Sequence, residues 1–204
     1  MNPIDLDHVL TALGAASWST DEQSRARVAG ALALTVYDGH TRDQGTSYLE
    51  HLLAVVKLLR TEIRVSHPET LILALLHDAL EVAPESEALL VQHLGAQFTA
   101  RLRAITADHR LEQRPKAVGD ETSWRFKQAA LPSEDLLVRL ADRLHNLRDL
   151  DASPNVDRRR RFLQSLEDFY LPLADAARGL SPHLAAMRAL LHAAYVRHQQ
   201  EVRP

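Results

Sequence analysis

Residues 71–81, LILALLHDALE, constrain this chain most. Six apolar residues run unbroken into adjacent His77 and Asp78, and Glu81 follows one turn later. A helix made from this run buries Leu71, Leu75, Leu76, Ala79 and Leu80 as one stripe. Its three- and four-residue spacings gather His77, Asp78 and Glu81 on one side. Ionisable groups at the end of a buried helix need partners, because an unpaired buried charge is strongly unfavourable. A divalent cation is one such partner and a salt-bridge cluster is another. The stretch alone does not choose between them.

The remaining helices are read from periodicity and punctuation. A first helix is expected over about 4–14. A second, over about 21–37, follows the start signal Ser-Thr-Asp-Glu and buries Val28, Leu32, Ala33 and Val36. The polar stretch DGHTRDQGTS, with two glycines, is a loop. The helical period resumes over Tyr48–Glu62, with His51 in its first turn. Pro68 suits the first turn of the next helix, which carries the HD pair. Ser86–Thr106 forms one helix or two, with Gly95 as the break, and Asp108–Ser123 reads as a long surface loop. Helices are then expected over Trp124–Leu131, from Pro132-Ser133 to about Leu150, over Asp157–Arg178, and from Ser181-Pro182 to about Gln199. No alternating apolar pattern persists. The expectation is an all-α fold of about eight to ten helices in a single domain over 1–204.

Composition narrows the chemistry. There are no cysteines, which excludes disulfides, thiolate metal sites and cysteine nucleophiles. Any metal must then be held by His and carboxylate, which suits Mn, Fe, Zn, Ni, Co or Mg. The formal net charge is −3, so no general affinity for nucleic acid is expected. The basic run Arg158–Arg161 reads as the solvated start of a helix. No apolar run reaches the roughly 20 residues needed to cross a membrane, so no membrane partner is expected. The first residues, MNPIDLDHVL, lack the regions of a signal peptide, and a cytoplasmic location is expected.

A second informative stretch is VRLADRLHNLRDL at 138–150. Asp142 sits among Leu140, Ala141 and Leu144, and Asn146 shares its face four residues on. On its own, Asp142 reads as the partner of Arg139 or Arg143 on the helix surface. Taken together, His51, His77-Asp78 and Asp142 match the H…HD…D pattern of HD-domain metal-dependent phosphohydrolases. GHTRDQGTSYLEH at 39–51, LLHDALE at 75–81 and the stretch at 138–150 resemble the hydrolase domain of RelA/SpoT-type proteins and small alarmone hydrolases. EDFYLPLADAARGL at 167–180 resembles the helix that follows the site, so the resemblance spans about 25–180.

The resemblance implies an HD-type helical bundle and one divalent cation, Mn²⁺ in that family, held by His51, His77, Asp78 and Asp142. It implies removal of the 3′-pyrophosphate from ppGpp or pppGpp, with Glu81 positioning or deprotonating the attacking water. It assigns Arg42 to the nucleobase and Asn146 to the nucleoside, and has Tyr48 either line the site as a substrate contact or simply pack beside it. Lys127 and Arg125 are expected to reach the pyrophosphate, since an acidic chain must concentrate cations to hold a polyanion. Arg143 and His145 belong to the motif without an assigned role, and oligomeric state stays open. The chain departs from the family pattern at Val82, where a second acid is usual, and at Asp43, Ser47 and Leu52. Two further readings therefore stay open. One is an HD phosphohydrolase acting on another nucleotide, such as an adenosine 3′-pyrophosphate or a nucleoside monophosphate. The other is a nucleotide sensor that keeps the metal site without turnover.

Overall fold

The protein is described by a computed structural model covering residues 4–201. The all-α expectation holds. Among the described residues there is no strand, only an isolated bridge between Thr41 and Ser47. In chain order the helices are α1 (Leu6–Leu13), α2 (Thr20–Val36), α3 (Tyr48–Thr61), α4 (Pro68–Leu76), the single turn α5 (Ala79–Val82), α6 (Glu87–Leu94) and α7 (Ala96–Ala104). They continue with the single turn α8 (Asp108–Leu111), α9 (Asp120–Ala129), α10 (Ser133–Arg148), α11 (Val156–Ser165), α12 (Leu171–Ala177) and α13 (Pro182–Glu201).

Local chemistry explains most boundaries. Ser19 and Glu22 form a reciprocal capping box at the start of α2. Pro68 occupies the first turn of α4, where its missing N–H leaves no helical bond unmade. Gly95, with φ of +91°, separates α6 from α7. The stretch 108–123 is less of a loop than its polarity implies, because α8 opens it and α9 begins at Asp120 rather than Trp124. The polar first turn of α9 carries no apolar residue to mark it.

From α11 to α12 the backbone is helical throughout, but Leu166–Tyr170 is a π-helical turn. Pro172 cannot donate the bond that an α-helix requires there, and the wider turn absorbs the misfit. Tyr170 is thereby buried.

Helix α4 is apolar on every side and occupies the centre, packed by α2, α3, α7 and α10. Leu71 through Leu76 are all buried. Helix α10 turns Leu136, Leu137, Leu140, Leu144 and Leu147 into this core. Its other face, Arg139, Asp142, Arg143 and Asn146, follows the i, i+3, i+4, i+7 pattern, with Arg139, Arg143 and Asn146 lining a cleft and Asp142 buried beneath it.

Candidate metal centre and cleft

The HD pair does not lie within a continuous helix. Helix α4 ends at Leu76, and Asp78 adopts φ −101° and ψ 4° before α5 begins. Adjacent residues of a helix point about 100° apart, so this break lets neighbouring His77 and Asp78 serve one point. His51 approaches from the first turns of α3. Ligand atoms of His51, His77 and Asp78 all lie within 4.8 Å of one another, and all three residues are buried. Asp142 of α10 completes the group. Its Oδ1 is 3.3 Å from His51 Nε2 and 3.7 Å from His77 Nε2. Asp78 Oδ1 is 3.5 Å from His77 Nε2, and Asp78 Oδ2 is 4.0 Å from His51 Nε2.

These residues fit a divalent cation. Metal–ligand bonds of about 2.0–2.4 Å set neighbouring ligand atoms about 3–4 Å apart. His77 Nδ1 donates to the Ala74 carbonyl at 2.7 Å, leaving Nε2 as the ligating atom of the neutral ring. That Nε2 is fully buried and makes no hydrogen bond among the described residues. A buried polar atom left without a partner is costly, and a cation at the centre of the group removes the cost. His51 Nδ1 shares a hydrogen bond of 3.0 Å with His145 Nδ1, which orients the second imidazole.

Electrostatics sort the group further. Burial holds the His51 imidazole below its ordinary range, against the pull of Asp142. His145 is pushed down to about 4 by burial and by neighbouring His51, so it is a neutral hydrogen-bond partner. For His77 burial acts downward too, but the carboxylates of Asp78 and Asp142 outweigh it and raise the net value. Burial alone would raise Asp142; the Arg143 and Arg139 guanidiniums overcome it and hold the carboxyl well below the usual range. Burial and the Asp78 charge raise Glu81.

Arg139 and Arg143 therefore do pair with Asp142, Arg139 from the interior and Arg143 from the wall of the cleft rather than from the outer helix surface. Arg139 is 4% exposed. It also lies over the Trp124 ring and donates to Gln128, while Arg143 is held between Phe162 and Tyr170.

The group lies beneath a cleft of about 600 Å³ whose lining includes Glu81, Arg139, Arg143 and Asn146. Arg42 enters it from the loop before α3. Its turn is closed by hydrogen bonds from Gly45 N to Arg42 O and from Arg42 N to Thr46 O, with Gly45 at φ +82°. Arg42 donates to Asp149 at 2.7 Å and to Asn146, and Asn146 donates to Asp142.

Tyr48 lies beside the metal group, stacking on Tyr37 with ring centroids 6.0 Å apart and presenting an edge to His51. One expected residue lies elsewhere. Lys127 is drawn away from the cleft because its ammonium is engaged by the Thr106 carbonyl at 2.8 Å and Asp108 at 2.7 Å. Arg125 does line the cleft, paired with Glu121. The cleft also takes Arg110, Lys116, Arg158 and Arg161, which the motifs do not include. The run Arg158–Arg161 is therefore only partly a solvated face. Asp43, acidic where the family pattern is basic, accepts from Ser153 and pairs with Arg158. Val82 packs against the hydrophobic core.

A family model described as an HD domain matches residues 29–178. The bifunctional (p)ppGpp synthase/hydrolase SpoT of Escherichia coli (strain K12) is 32% identical over 156 residues, covering 76% of this chain and 22% of that protein. The guanosine-3′,5′-bis(diphosphate) 3′-pyrophosphohydrolase of Haemophilus influenzae is 30% identical over 145 residues, covering 70% and 21%. The GTP pyrophosphokinase rsh of Brucella ovis is 32% identical over 145 residues, covering 70% and 19%. The chain thus spans about a fifth of the length of these relatives. A solved structure of a metazoan ortholog of SpoT, which hydrolyses ppGpp and plays a role in starvation responses, has the same fold. It superposes with a TM-score of 0.70 at 22% identity, covering 88% of this chain and 96% of that one.

Proposed function

Since this chain belongs to the HD-domain family, we propose that it is a metal-dependent hydrolase that removes the 3′-pyrophosphate from ppGpp or pppGpp, leaving GDP or GTP. The observation that carries this reading is the buried His51, His77, Asp78 and Asp142 group beneath a cation-lined cleft, in a chain similar to SpoT-type hydrolases. The proposed cation is Mn²⁺, held by those four residues. When bound, such an ion lowers the pKa of water and polarises a phosphoryl oxygen.

The protein's own groups divide the remaining work. Glu81 borders the cleft one turn beyond the HD pair, and burial and the Asp78 charge raise its pKa, which strengthens its carboxylate as a base. It orients the attacking water and receives its proton. The bond from phosphorus to the ribose 3′-oxygen breaks, the water oxygen replaces it on phosphorus, and the 3′-oxygen takes a proton from solvent. Both ends of the Arg42 guanidinium are occupied by Asp149 and Asn146, so its flat face is what remains for a base to stack on. Asn146 contacts the ribose. Tyr48 acts by seating His51 rather than by touching the nucleotide.

The test is product analysis with purified protein, Mn²⁺ and a panel of 3′-pyrophosphorylated and ordinary nucleotides. Pyrophosphate with GDP or GTP is expected. Turnover confined to an adenosine 3′-pyrophosphate or a monophosphate would move the substrate, and tight binding without turnover would make the protein a sensor. Within the same assay, Glu81→Gln should retain metal and nucleotide binding and lower kcat by about 10²–10⁴-fold. Near wild-type turnover by the variant would remove Glu81 as the base.

A further inference from the structure

Arg110 belongs to none of the sequence motifs, yet it lies beside Glu81 in the cleft lining. Its Nε lies 3.6 Å from Glu81 Oε1, beyond hydrogen-bond length but well within charge attraction. Both side chains are partly exposed, so the pair is held weakly and exchanges readily. Most neighbouring cations are already engaged. Arg139 and Arg143 serve Asp142, Arg42 serves Asp149, Lys116 and Arg125 share Glu121, and Arg158 serves Asp43. Arg110 and Arg161 are the cleft cations whose side chains make no hydrogen bond among the described residues, and of the two it is Arg110 that lies against Glu81.

The support behind Arg110 is firm. It lies in the single turn α8, whose Leu111 packs on the core. Lys127 pins the start of that turn by donating to the Thr106 carbonyl and to Asp108. The engagement that removes Lys127 from the cleft thus fixes the segment that delivers Arg110 to it.

Resting on the reading of this site as a 3′-pyrophosphohydrolase, we propose that Arg110 is a binding residue for the pyrophosphate group, its guanidinium exchanging Glu81 for phosphoryl oxygens. Attack on the phosphorus next to the ribose comes from the side opposite the 3′-oxygen. With Glu81 orienting the attacking water, the pyrophosphate lies toward the Glu81 wall and the nucleoside toward Arg42 and Asn146. A guanidinium fork matches two phosphate oxygens, which a single ammonium cannot do.

The experiment compares wild type, Arg110→Gln and Arg110→Lys in the presence of Mn²⁺. Binding of inorganic pyrophosphate and of GDP is measured by calorimetry, and KM for ppGpp by product release. Arg110→Gln should weaken pyrophosphate binding and raise KM for ppGpp by about 10- to 100-fold, the range for losing a charged hydrogen-bonding partner. Its affinity for GDP, which has no 3′-phosphate, should stay within about twofold, and Arg110→Lys should fall between wild type and Gln. Equal losses for pyrophosphate and GDP, or no loss for either, would overturn the proposal. Wild type that turns over no 3′-pyrophosphorylated nucleotide would instead sink the earlier reading, whereas the two titrations report on Arg110 from binding alone.

Discussion

Asp142 serves two purposes at once. It faces both imidazoles of the proposed metal site, and it is the counter-charge for the buried Arg139 and the half-buried Arg143. Removing its charge should therefore harm more than metal binding. Asp142→Asn should destabilise the metal-free protein by about 3–5 kcal/mol, the usual effect of leaving a buried charge uncompensated. Urea unfolding in the presence of chelator measures this; a loss under about 1 kcal/mol would mean that water reaches Arg139 and Arg143. The neighbouring His77 predicts a pH dependence. Its net pKa is raised, so the metal-free ring keeps a proton above the ordinary imidazole range, and a cation must displace that proton. The sign follows directly. Metal affinity should be pH-independent above the raised value and weaken about tenfold per pH unit below it. Titrations across that range, in two buffers of different ionisation enthalpy, should also show about one proton released per metal bound. Affinity that stays flat as pH falls would remove the proton from His77 Nε2.

At the scale of elements, the loop before α3 depends on one backbone conformation. Gly45 adopts φ +82°, and a Cβ added there would meet nothing within 4 Å. Gly45→Ala therefore tests the backbone alone, with a left-handed penalty of about 1–2 kcal/mol. The expected result is a raised KM from a displaced Arg42 with unchanged metal content; an unchanged KM would detach Arg42 from nucleotide binding. Helix starts of this kind of local origin were legible in the sequence. Ser19 with Glu22, Pro68, Pro132-Ser133 and Ser181-Pro182 each act through their own first turn. The break at His77-Asp78 was not legible, because the apolar run continues through Ala79 and Leu80 and nothing local ends the helix. The π-turn was hidden for a related reason: Pro172 announces a misfit without saying where the backbone absorbs it. The cleft shows the same limit more sharply. Spacing puts Asp142 and Asn146 on one face of a helix, but it cannot say that Arg110, Lys116, Arg158 and Arg161 share a cleft, because their meeting is tertiary. Nor could it say that Lys127 would be captured by Thr106 and Asp108, which lie 21 and 19 residues away in the chain.

For the molecule as a whole, the proposed metal site is also a joint. His51 comes from α3, His77 and Asp78 from the break between α4 and α5, and Asp142 from α10, so the four residues tie together the elements that form the core. An unfolded chain has no such preformed site, so a cation that binds the native group adds its binding free energy to stability. At a metal concentration of about 100 times Kd this amounts to roughly 2.7 kcal/mol. For a chain of this size each kcal/mol moves Tm by about 2–4 °C, giving an expected rise of roughly 5–10 °C. Thermal unfolding of chelator-treated protein, with Mn²⁺ then added back in steps, makes the measurement. His77→Gln should abolish the rise, because Nε2 is the atom aimed at the cation while the rest of the core is untouched. An equal rise in wild type and His77→Gln would place the stabilising cation elsewhere on the protein, and the buried group would then be a salt-bridge cluster, the alternative that residues 71–81 left open from the start.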